Sequence, residues 1–217
     1  MKLFIKYRLK KLLKGRKFSD RTKAYWQDAG QQKNIEDIME RICDKFDKKT
    51  FESKKESIIF HLNIPLSSID TILEVGCGIG RTCKWVSPKV KKYVGVDFIS
   101  EMIDKAKSYN EKFSNVEFVV NDGKTLSMFD EKIFDIVYSE LAFQHMNKPI
   151  QVSYVNEIYR VLKNNGLFYV QLPRMEYYKD STVALTKDEV DNLLKDFSTT
   201  FELTEPASYF IKAQKKA

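Results

Sequence analysis

Hydrophobic residues recur along this chain in two spacings that alternate with each other. After residue 70, short continuous apolar runs are followed by stretches in which apolar residues lie three or four positions apart. The continuous runs predict strands buried on both faces, and the second spacing predicts amphipathic helices. Strands and helices in alternation predict a parallel sheet that is covered by helices on both faces.

The predicted strands can be placed on the sequence. The first four are Thr71–Val75, Lys92–Asp97, Val116–Val120 and Phe134–Tyr138. A helix that includes Leu162 then leads through the turn Asn164-Asn165-Gly166 into a fifth strand, Leu167–Leu172. A helix near 186–196 precedes two further strands, Thr200–Thr204 and Ser208–Ala213, and this pair predicts an antiparallel edge. We therefore predict a doubly wound, mostly parallel seven-stranded α/β sheet with helices on both faces and an antiparallel C-terminal edge.

Two segments precede the predicted sheet domain, which spans residues 69–217. Residues 18–68 have helical apolar spacing and predict an N-terminal helical cap. Residues 1–17 contain eight basic side chains and no acidic one, whereas the remaining chain has 29 basic and 30 acidic residues. The net charge of +7 therefore belongs to a basic, amphipathic tail, and it does not indicate that the nearly neutral body follows nucleic acid.

The cysteine and histidine content argues against a metal site. The chain has three cysteines without a C-x-x-C pair and two histidines, which favours neither zinc binding nor a disulfide framework. No apolar run approaches the roughly 18 residues of a membrane-spanning helix, and the N-terminus lacks the apolar region of a signal peptide. These features predict a cytoplasmic protein that holds no metal.

The strongest chemical motif is Leu73-Glu74-Val75-Gly76-Cys77-Gly78-Ile79-Gly80, which joins the first predicted strand to a helix. Glycines at this place let the backbone turn sharply and let a ligand approach the main chain at the carboxyl edge of the sheet. Asp97 lies 21 residues after Gly76 at the end of the second strand, a spacing that suits a carboxylate binding ribose hydroxyls. The dinucleotide pattern G-x-G-x-x-G/A fails, since Arg81 or Cys83 occupies its last position.

The remaining pattern, acidic-x-Gly-x-Gly-x-Gly, resembles the first motif of class I S-adenosylmethionine-dependent methyltransferases. Later segments resemble the family's further motifs in order: Val94 to Met102 the second, Val119 to Gly123 the third, Phe134 to Ser139 the fourth, and Leu162 to Gly166 the segment before the fifth strand. The resemblance covers most of residues 70–173. It implies S-adenosylmethionine as cofactor, and it suggests a small-molecule methyltransferase of the quinone-biosynthesis type.

The resemblance also implies roles for individual residues. Glu74 and the loop Gly76, Cys77, Gly78 and Gly80 would face the methionine end of the cofactor, Asp97 its ribose, and Phe98 and Asp122 its adenine. The motif residues Met102, Gly123 and Ser139 complete the predicted cofactor site. Each feature also has a structural interpretation, since the glycines can form a plain turn, Asp97 can cap a helix and Asp122 can stabilise a turn.

His145, just after the fourth strand, is the candidate general base. Its unperturbed pKa of about 6.5 would suit proton removal from a hydroxyl, although a packing or hydrogen-bonding role is equally open. Tyr25 and Trp26 in the cap are candidates for the acceptor pocket, and packing is the alternative. The sequence after the fourth strand lacks the Pro-Pro-Tyr type of motif typical of amino-group nucleic-acid methyltransferases, so base methylation is disfavoured.

The predicted function is methyl transfer to a small-molecule or lipid-linked acceptor, at oxygen. Two alternatives stay open: a non-catalytic binding or partner subunit with this fold, and another transferase on the same scaffold, such as an aminopropyl transferase. For the tail we weigh peripheral contact with the inner membrane surface against a solvated terminus or a helix packed on the body, with nucleic-acid contact less favoured. The sequence leaves the oligomeric state open.

Overall fold

A computed structural model describes residues 18–32, 34, 37–38, 59, 62–174, 183–205 and 208–216. The predicted basic tail, residues 1–17, lies outside the described residues, as does most of the predicted helical cap after residue 32. The chain forms two compact units, residues 1–53 and residues 54–217.

The first unit contains helix α1, Phe18–Gly30. Tyr25 and Trp26 lie in this helix with their rings edge to face, 5.1 Å between centroids. Within the described ranges, no helix is long and apolar enough to cross a bilayer.

The second unit alternates strands and helices. Its elements are β1 Thr71–Val75, α2 Cys83–Val86, β2 Lys92–Asp97, α3 Ser100–Tyr109, β3 Val116–Val120, β4 Phe134–Ser139, α4 Lys148–Val161, β5 Leu162–Pro173, α5 Lys187–Leu193, β6 Phe197–Glu205 and β7 Ser208–Lys215. The order in the sheet is β3-β2-β1-β4-β5-β7-β6. Strands β1 to β5 pair in parallel, and β7 lies antiparallel between β5 and β6. The predicted doubly wound fold and its antiparallel C-terminal edge are confirmed.

The sheet has an apolar cluster on each face because its strands are apolar at successive positions. In β1, Leu73 and Val75 join the cluster beneath α4 and α5, whereas Ile72 joins the cluster beneath α2 and α3. Successive side chains of a strand point to opposite faces, so a run without polar alternation buries both. Because β1 to β5 pair in parallel, their carboxyl ends all lie at one edge of the sheet.

The transition from α4 to β5 differs from the prediction. Leu162 was expected within the helix, but its backbone is extended (φ −70°, ψ 136°) and it pairs with Phe134 of β4. The predicted turn at Asn164-Asn165-Gly166 therefore lies inside β5, and Asn165 adopts a positive φ of 63°. An apolar residue suits either element here, so periodicity alone placed the boundary wrongly. Strands β6 and β7 are also longer than predicted, because each continues in their shared ladder.

The segment after β4 is anchored in the core by Phe143. This side chain is fully buried, and its ring lies 6.0 Å from the ring of Phe168 and 6.4 Å from that of Tyr154. Gln151 of α4 donates a hydrogen bond to the Phe143 carbonyl (2.9 Å), and the Asn147 side chain caps α4 by accepting from Ile150 N (3.1 Å). The start of α4 therefore fixes the segment that follows β4.

Phe143→Ala should lower the free energy of unfolding by about 3 to 5 kcal/mol, because it removes a buried ring and leaves a cavity. Phe113→Ala, at a half-buried position on the other face, should cost clearly less. Urea unfolding of both variants checks this. Equal losses would contradict the anchoring role of Phe143.

Candidate active site

In the loop after β1, every second residue from Gly76 to Gly80 is a glycine with a left-handed backbone conformation. The φ values are 75° at Gly76, 52° at Gly78 and 67° at Gly80. Glycine adopts such values at no steric cost, whereas other L-residues are strained there. The loop reverses direction at the carboxyl edge of the sheet and leads into α2.

Backbone and side-chain bonds from β2 hold this loop in place. The Val96 carbonyl accepts from the amides of Gly76 (2.8 Å) and Cys77 (3.0 Å). One carboxylate oxygen of Asp97 accepts from Gly78 N (3.0 Å), and the other accepts from Ile99 N (3.0 Å). Burial raises the pKa of Asp97 above its usual value, although the backbone donors oppose part of this shift. Asp97 thus ties the loop after β1 to the start of α3.

The three glycines differ in what surrounds them. A Cβ at Gly76 would lie 2.3 Å from the Cβ of Ala142, and one at Gly80 would lie 2.7 Å from Asn110 Nδ2. A Cβ at Gly78 would meet nothing within 4 Å. The outer two glycines therefore allow close packing, whereas Gly78 exposes its main chain to open space. A ligand that must approach the backbone closely, as S-adenosylmethionine is expected to do here, fits this cradle.

Glu74 lies near the end of β1, two residues before the first glycine of the loop. Its carboxyl group is buried at 4% exposure beneath the loop. One of its oxygens accepts hydrogen bonds from Thr82 Oγ1 (2.5 Å), Tyr138 Oη (2.8 Å) and Tyr93 Oη. Desolvation raises the pKa of Glu74 to about 7, although the three hydroxyl donors oppose the shift. The geometry gives Glu74 a bracing contact with Thr82 at the exit of the loop, and its contact with the cofactor stays a prediction.

Three other predicted cofactor residues have buried side chains. Cys77 packs against β2, since a Cβ at Gly95 would lie 3.0 Å from its Sγ. Met102 is buried within α3. Ser139 donates a hydrogen bond to the Val75 carbonyl (2.8 Å), which joins the ends of β4 and β1. These side chains pack beneath the candidate site, and direct contact of any of them with a ligand stays a prediction.

The remaining predicted cofactor residues lie together at the ends of β2 and β3. A Cβ at Gly123, whose φ is 73°, would lie 3.1 Å from the Cβ of Phe98. Asp122 is exposed and accepts from the amides of Lys124 (2.8 Å) and Thr125 (2.7 Å). These donors lower the pKa of Asp122 despite some opposing desolvation, so the group is ionised at neutral pH. The turn role and the predicted adenine contact are compatible, because a carboxylate has further acceptor capacity.

His145 ends a short 3₁₀ helix, Phe143–His145, after β4. Its Nε2 lies 3.2 Å from Gln144 Nε2, and its amide donates to the Ala142 carbonyl (2.9 Å). Burial lowers the pKa of His145 to about 4, well below the value of about 6.5 from which the sequence analysis started. The imidazole is therefore neutral at pH 7 and only weakly basic.

The structure adds three residues that sequence reasoning missed. Arg81, directly after the loop, forms a largely buried ion pair with Glu140 (2.5 Å), which follows β4. Leu141 comes next, with a left-handed φ of 58° and 38% exposure. The two partners of the ion pair are 59 positions apart, so no local pattern signals their contact. The sequence offered one signal for this pair, which is that Arg81 directly follows the first motif and Glu140 directly follows the fourth.

Glu74→Gln should change how stability depends on pH. Because the folded-state pKa of Glu74 is raised, its contribution is complete below pH 4.5 and is lost as the pH rises through about 7. The stability of the wild type relative to Glu74→Gln should therefore fall by about 2 to 3 kcal/mol between pH 5 and pH 8. Urea unfolding across that range measures this, with exposed Glu111→Gln as control. A difference independent of pH would contradict a raised pKa.

His145 should titrate far below an exposed histidine. Its imidazole signal in NMR spectra, assigned by loss in His145→Gln, should report a pKa of about 4. A midpoint near 6.5 would mean that the ring is solvated and would restore it as an ordinary base.

Comparison with known proteins gives a consistent family. Residues 73–170 match the family model described as a methyltransferase domain. An uncharacterized methyltransferase, YcgJ of Bacillus subtilis, is 33% identical over 99 residues, which are 45% of this chain and 38% of that protein. A sterol 24-C-methyltransferase of Pneumocystis carinii is 35% identical over 103 residues, which are 46% of this chain and 26% of that protein.

Among solved structures, the fold is similar to that of phosphoethanolamine N-methyltransferase 1 of Haemonchus contortus, in complex with phosphoethanolamine and S-adenosylhomocysteine. The TM-score is 0.73 at 13% identity, over 92% of this chain and 49% of that one. This likeness shows the shared fold. The chain covers less than half the length of the two curated relatives. From the ordered motifs, the matched domain and the fold, we conclude that residues 73–170 form a methyltransferase domain with the class I S-adenosylmethionine-dependent fold.

Proposed function

We propose that this chain transfers a methyl group from S-adenosylmethionine to a small-molecule or lipid-linked acceptor. The observation that carries the proposal is the environment of Gly78. A Cβ placed there would have no protein atom within 4 Å, while the amide of Gly78 donates a hydrogen bond to Asp97. The matched methyltransferase domain, residues 73–170, supports the same cofactor.

The residues at this edge offer the cofactor several kinds of contact. Gly78 offers its backbone, and Phe98 offers an apolar ring beside Gly123. Asp97 binds the amides of Gly78 and Ile99 with one oxygen each and has spare acceptor capacity for hydroxyl groups. When bound, S-adenosylmethionine supplies an activated methyl group, so that the acceptor's lone pair forms the new bond as the carbon–sulfur bond breaks with its electrons left on sulfur. The chain's task is then to place the acceptor in line, and such positioning can contribute about 7 to 11 kcal/mol in favourable cases.

Oxygen is our proposed acceptor atom, with His145 as the group that takes the proton. Its pKa of about 4 makes it a weak base, which suits an acidic hydroxyl such as that of a phenol or an enol better than an alcohol. Relatives named for an amine and for a sterol carbon show that the family's acceptor atom varies. The choice of oxygen therefore depends on His145.

A lipid-linked acceptor would agree with the composition of the N-terminus. The eight basic side chains of residues 1–17 would be attracted to an anionic membrane surface by about 1 kcal/mol each. A cytoplasmic location with peripheral contact at the inner membrane surface is part of this proposal. Nucleic acid is not the partner we propose, because the rest of the chain is nearly neutral.

Gly78→Ala should abolish cofactor binding while leaving the fold intact. Its Cβ meets no protein atom, so the cost in stability should be only the backbone strain of about 1 kcal/mol, but the methyl group would occupy the cradle. Calorimetric titration with S-adenosylmethionine and S-adenosylhomocysteine measures this. Asn165→Ala, which also places alanine at a positive φ but lies away from this edge, is the control.

The wild type and Asn165→Ala should bind both compounds with similar affinity. Gly78→Ala is a cleaner probe than Asp97→Ala, because removing Asp97 also frees the amides of Gly78 and Ile99. A folded wild type that binds neither compound would refute the proposed function. Binding without methyl transfer to any acceptor in a labelled-methyl screen would instead favour a non-catalytic subunit.

A further inference from the structure

Asn110 is a buried polar residue that contacts the glycine-rich loop, residues 76–80, from the end of α3. It is the C-cap residue of that helix, and its exposure is 1%. Its Nδ2 donates hydrogen bonds to the carbonyls of Gly80 (3.2 Å) and Ala106 (3.0 Å), and it lies 3.5 Å from the Ile79 carbonyl. One side-chain amide therefore bonds the loop and the last turn of α3 at the same time.

The surroundings of Asn110 determine how its amide is oriented. Three carbonyl oxygens face one end of the side chain, and only the Nδ2 end can donate to them. The opposite atom, Oδ1, is buried and accepts no hydrogen bond from any residue that the structure describes. An apolar side chain of similar size would avoid the free-energy cost of this unpaired acceptor. Stability alone therefore does not account for asparagine at this position.

The two carbonyls do not depend on Asn110 for a hydrogen bond. The Gly80 carbonyl also accepts from the amide of Cys83 (3.2 Å), and the Ala106 carbonyl also accepts from the backbone amide of Asn110 (3.1 Å). Each would keep a donor if the side chain of Asn110 were removed. What the side chain adds is a connection between the loop and α3.

Gly78, whose backbone lies open to a ligand, is held between two such connections. Asp97, which precedes α3, accepts from Gly78 N (3.0 Å), and Asn110, which ends α3, donates to the Gly80 carbonyl. Glycine populates a wide range of backbone angles, so the glycines alone do not select one path for the loop. Residues on both sides of one helix therefore define that path where a Cβ at Gly78 would meet no protein atom within 4 Å.

We propose that Asn110 is a positioning residue of the cofactor site, which fixes the second half of the glycine-rich loop so that the backbone at Gly78 is preorganised for S-adenosylmethionine. This inference rests on the proposed methyl transfer. It adds to the site a residue that lies 30 positions after Gly80 and outside every motif of the sequence. Without the connection, the loop would have to be ordered when the cofactor binds, and that ordering lowers affinity.

Two variants remove the connection. Asn110→Leu replaces the amide by an apolar side chain of similar size, and Asn110→Ala tests the same loss where leucine does not fit beside the loop. The matched control is Asn115→Leu, because Nδ2 of Asn115 also donates to two carbonyls, those of Ser87 (2.8 Å) and Val90 (3.0 Å). Asn115 directly precedes β3 and therefore lies at the amino edge of the sheet, opposite to the candidate site.

Three measurements are made on each protein. Urea unfolding gives the stability, and calorimetric titration with S-adenosylhomocysteine gives the affinity. Hydrogen exchange of assigned amides in NMR spectra compares Gly80, whose amide donates to the Cys77 carbonyl (2.8 Å), with the amides of β2. A loss of global stability accelerates exchange in both places, whereas a loosened loop accelerates it at Gly80 alone.

Both Asn110 variants should bind S-adenosylhomocysteine roughly fivefold to tenfold more weakly than the wild type, the effect expected for one lost hydrogen bond. The exchange rate of the Gly80 amide relative to those of β2 should rise at least roughly fivefold. Asn115→Leu should leave that ratio unchanged and the affinity within about twofold of the wild-type value.

Three results would overturn the proposal: unchanged affinity in both Asn110 variants, an equal loss of affinity in Asn115→Leu, or equal acceleration of exchange at Gly80 and in β2. A wild type that fails to bind S-adenosylhomocysteine would be a failure of the proposed function instead. The exchange measurement on the free protein would then still show whether Asn110 holds the loop, so the two failures are distinguishable.

Discussion

The glycine-rich loop keeps its shape because the end of β2 supplies the acceptors that the loop's own amides lack. The Val96 carbonyl accepts hydrogen bonds from two of these amides. The Asp97 carboxylate accepts one from a third loop amide and one from an amide at the start of α3. A left-handed turn leaves backbone donors without helical or strand partners, and burying them unpaired would be costly. Parallel pairing of β1 with β2 brings the acceptors to this edge, so the site depends on sheet register as much as on the glycines.

Beneath the loop lies a polar cluster that stabilises the site at some cost. Glu74 collects hydroxyl groups from Thr82, Tyr93 and Tyr138, which belong to the loop exit, β2 and β4. A carboxyl group in this interior resists ionisation, and its pKa near 7 reflects that penalty. The cluster nevertheless joins three elements through one side chain, which fixes their separation better than apolar contacts would.

The segment after β4 is held in place by contacts with the loop after β1 and with the core. Arg81, directly after the loop that follows β1, pairs with Glu140, and Gly76 within that loop contacts Ala142. Phe143 then enters the core beside Phe168. The glycine-rich loop and the segment after β4 are thus held together by one ion pair, whose partners are 59 positions apart, and by one close backbone contact.

The sequence by itself determined the fold class, the position of the loop and the identity of Asp97 as a residue at its side, because strand periodicity, glycine spacing and strand ends are local properties. It misplaced the start of β5, since an apolar Leu162 fits a helix end as well as a strand. Only the tertiary structure decided that Glu74 points into the interior, that His145 is desolvated, and that Arg81 pairs with Glu140. Side-chain direction, burial and long-range charge pairing depend on which elements pack together, and residues distant in sequence carry no local record of that packing.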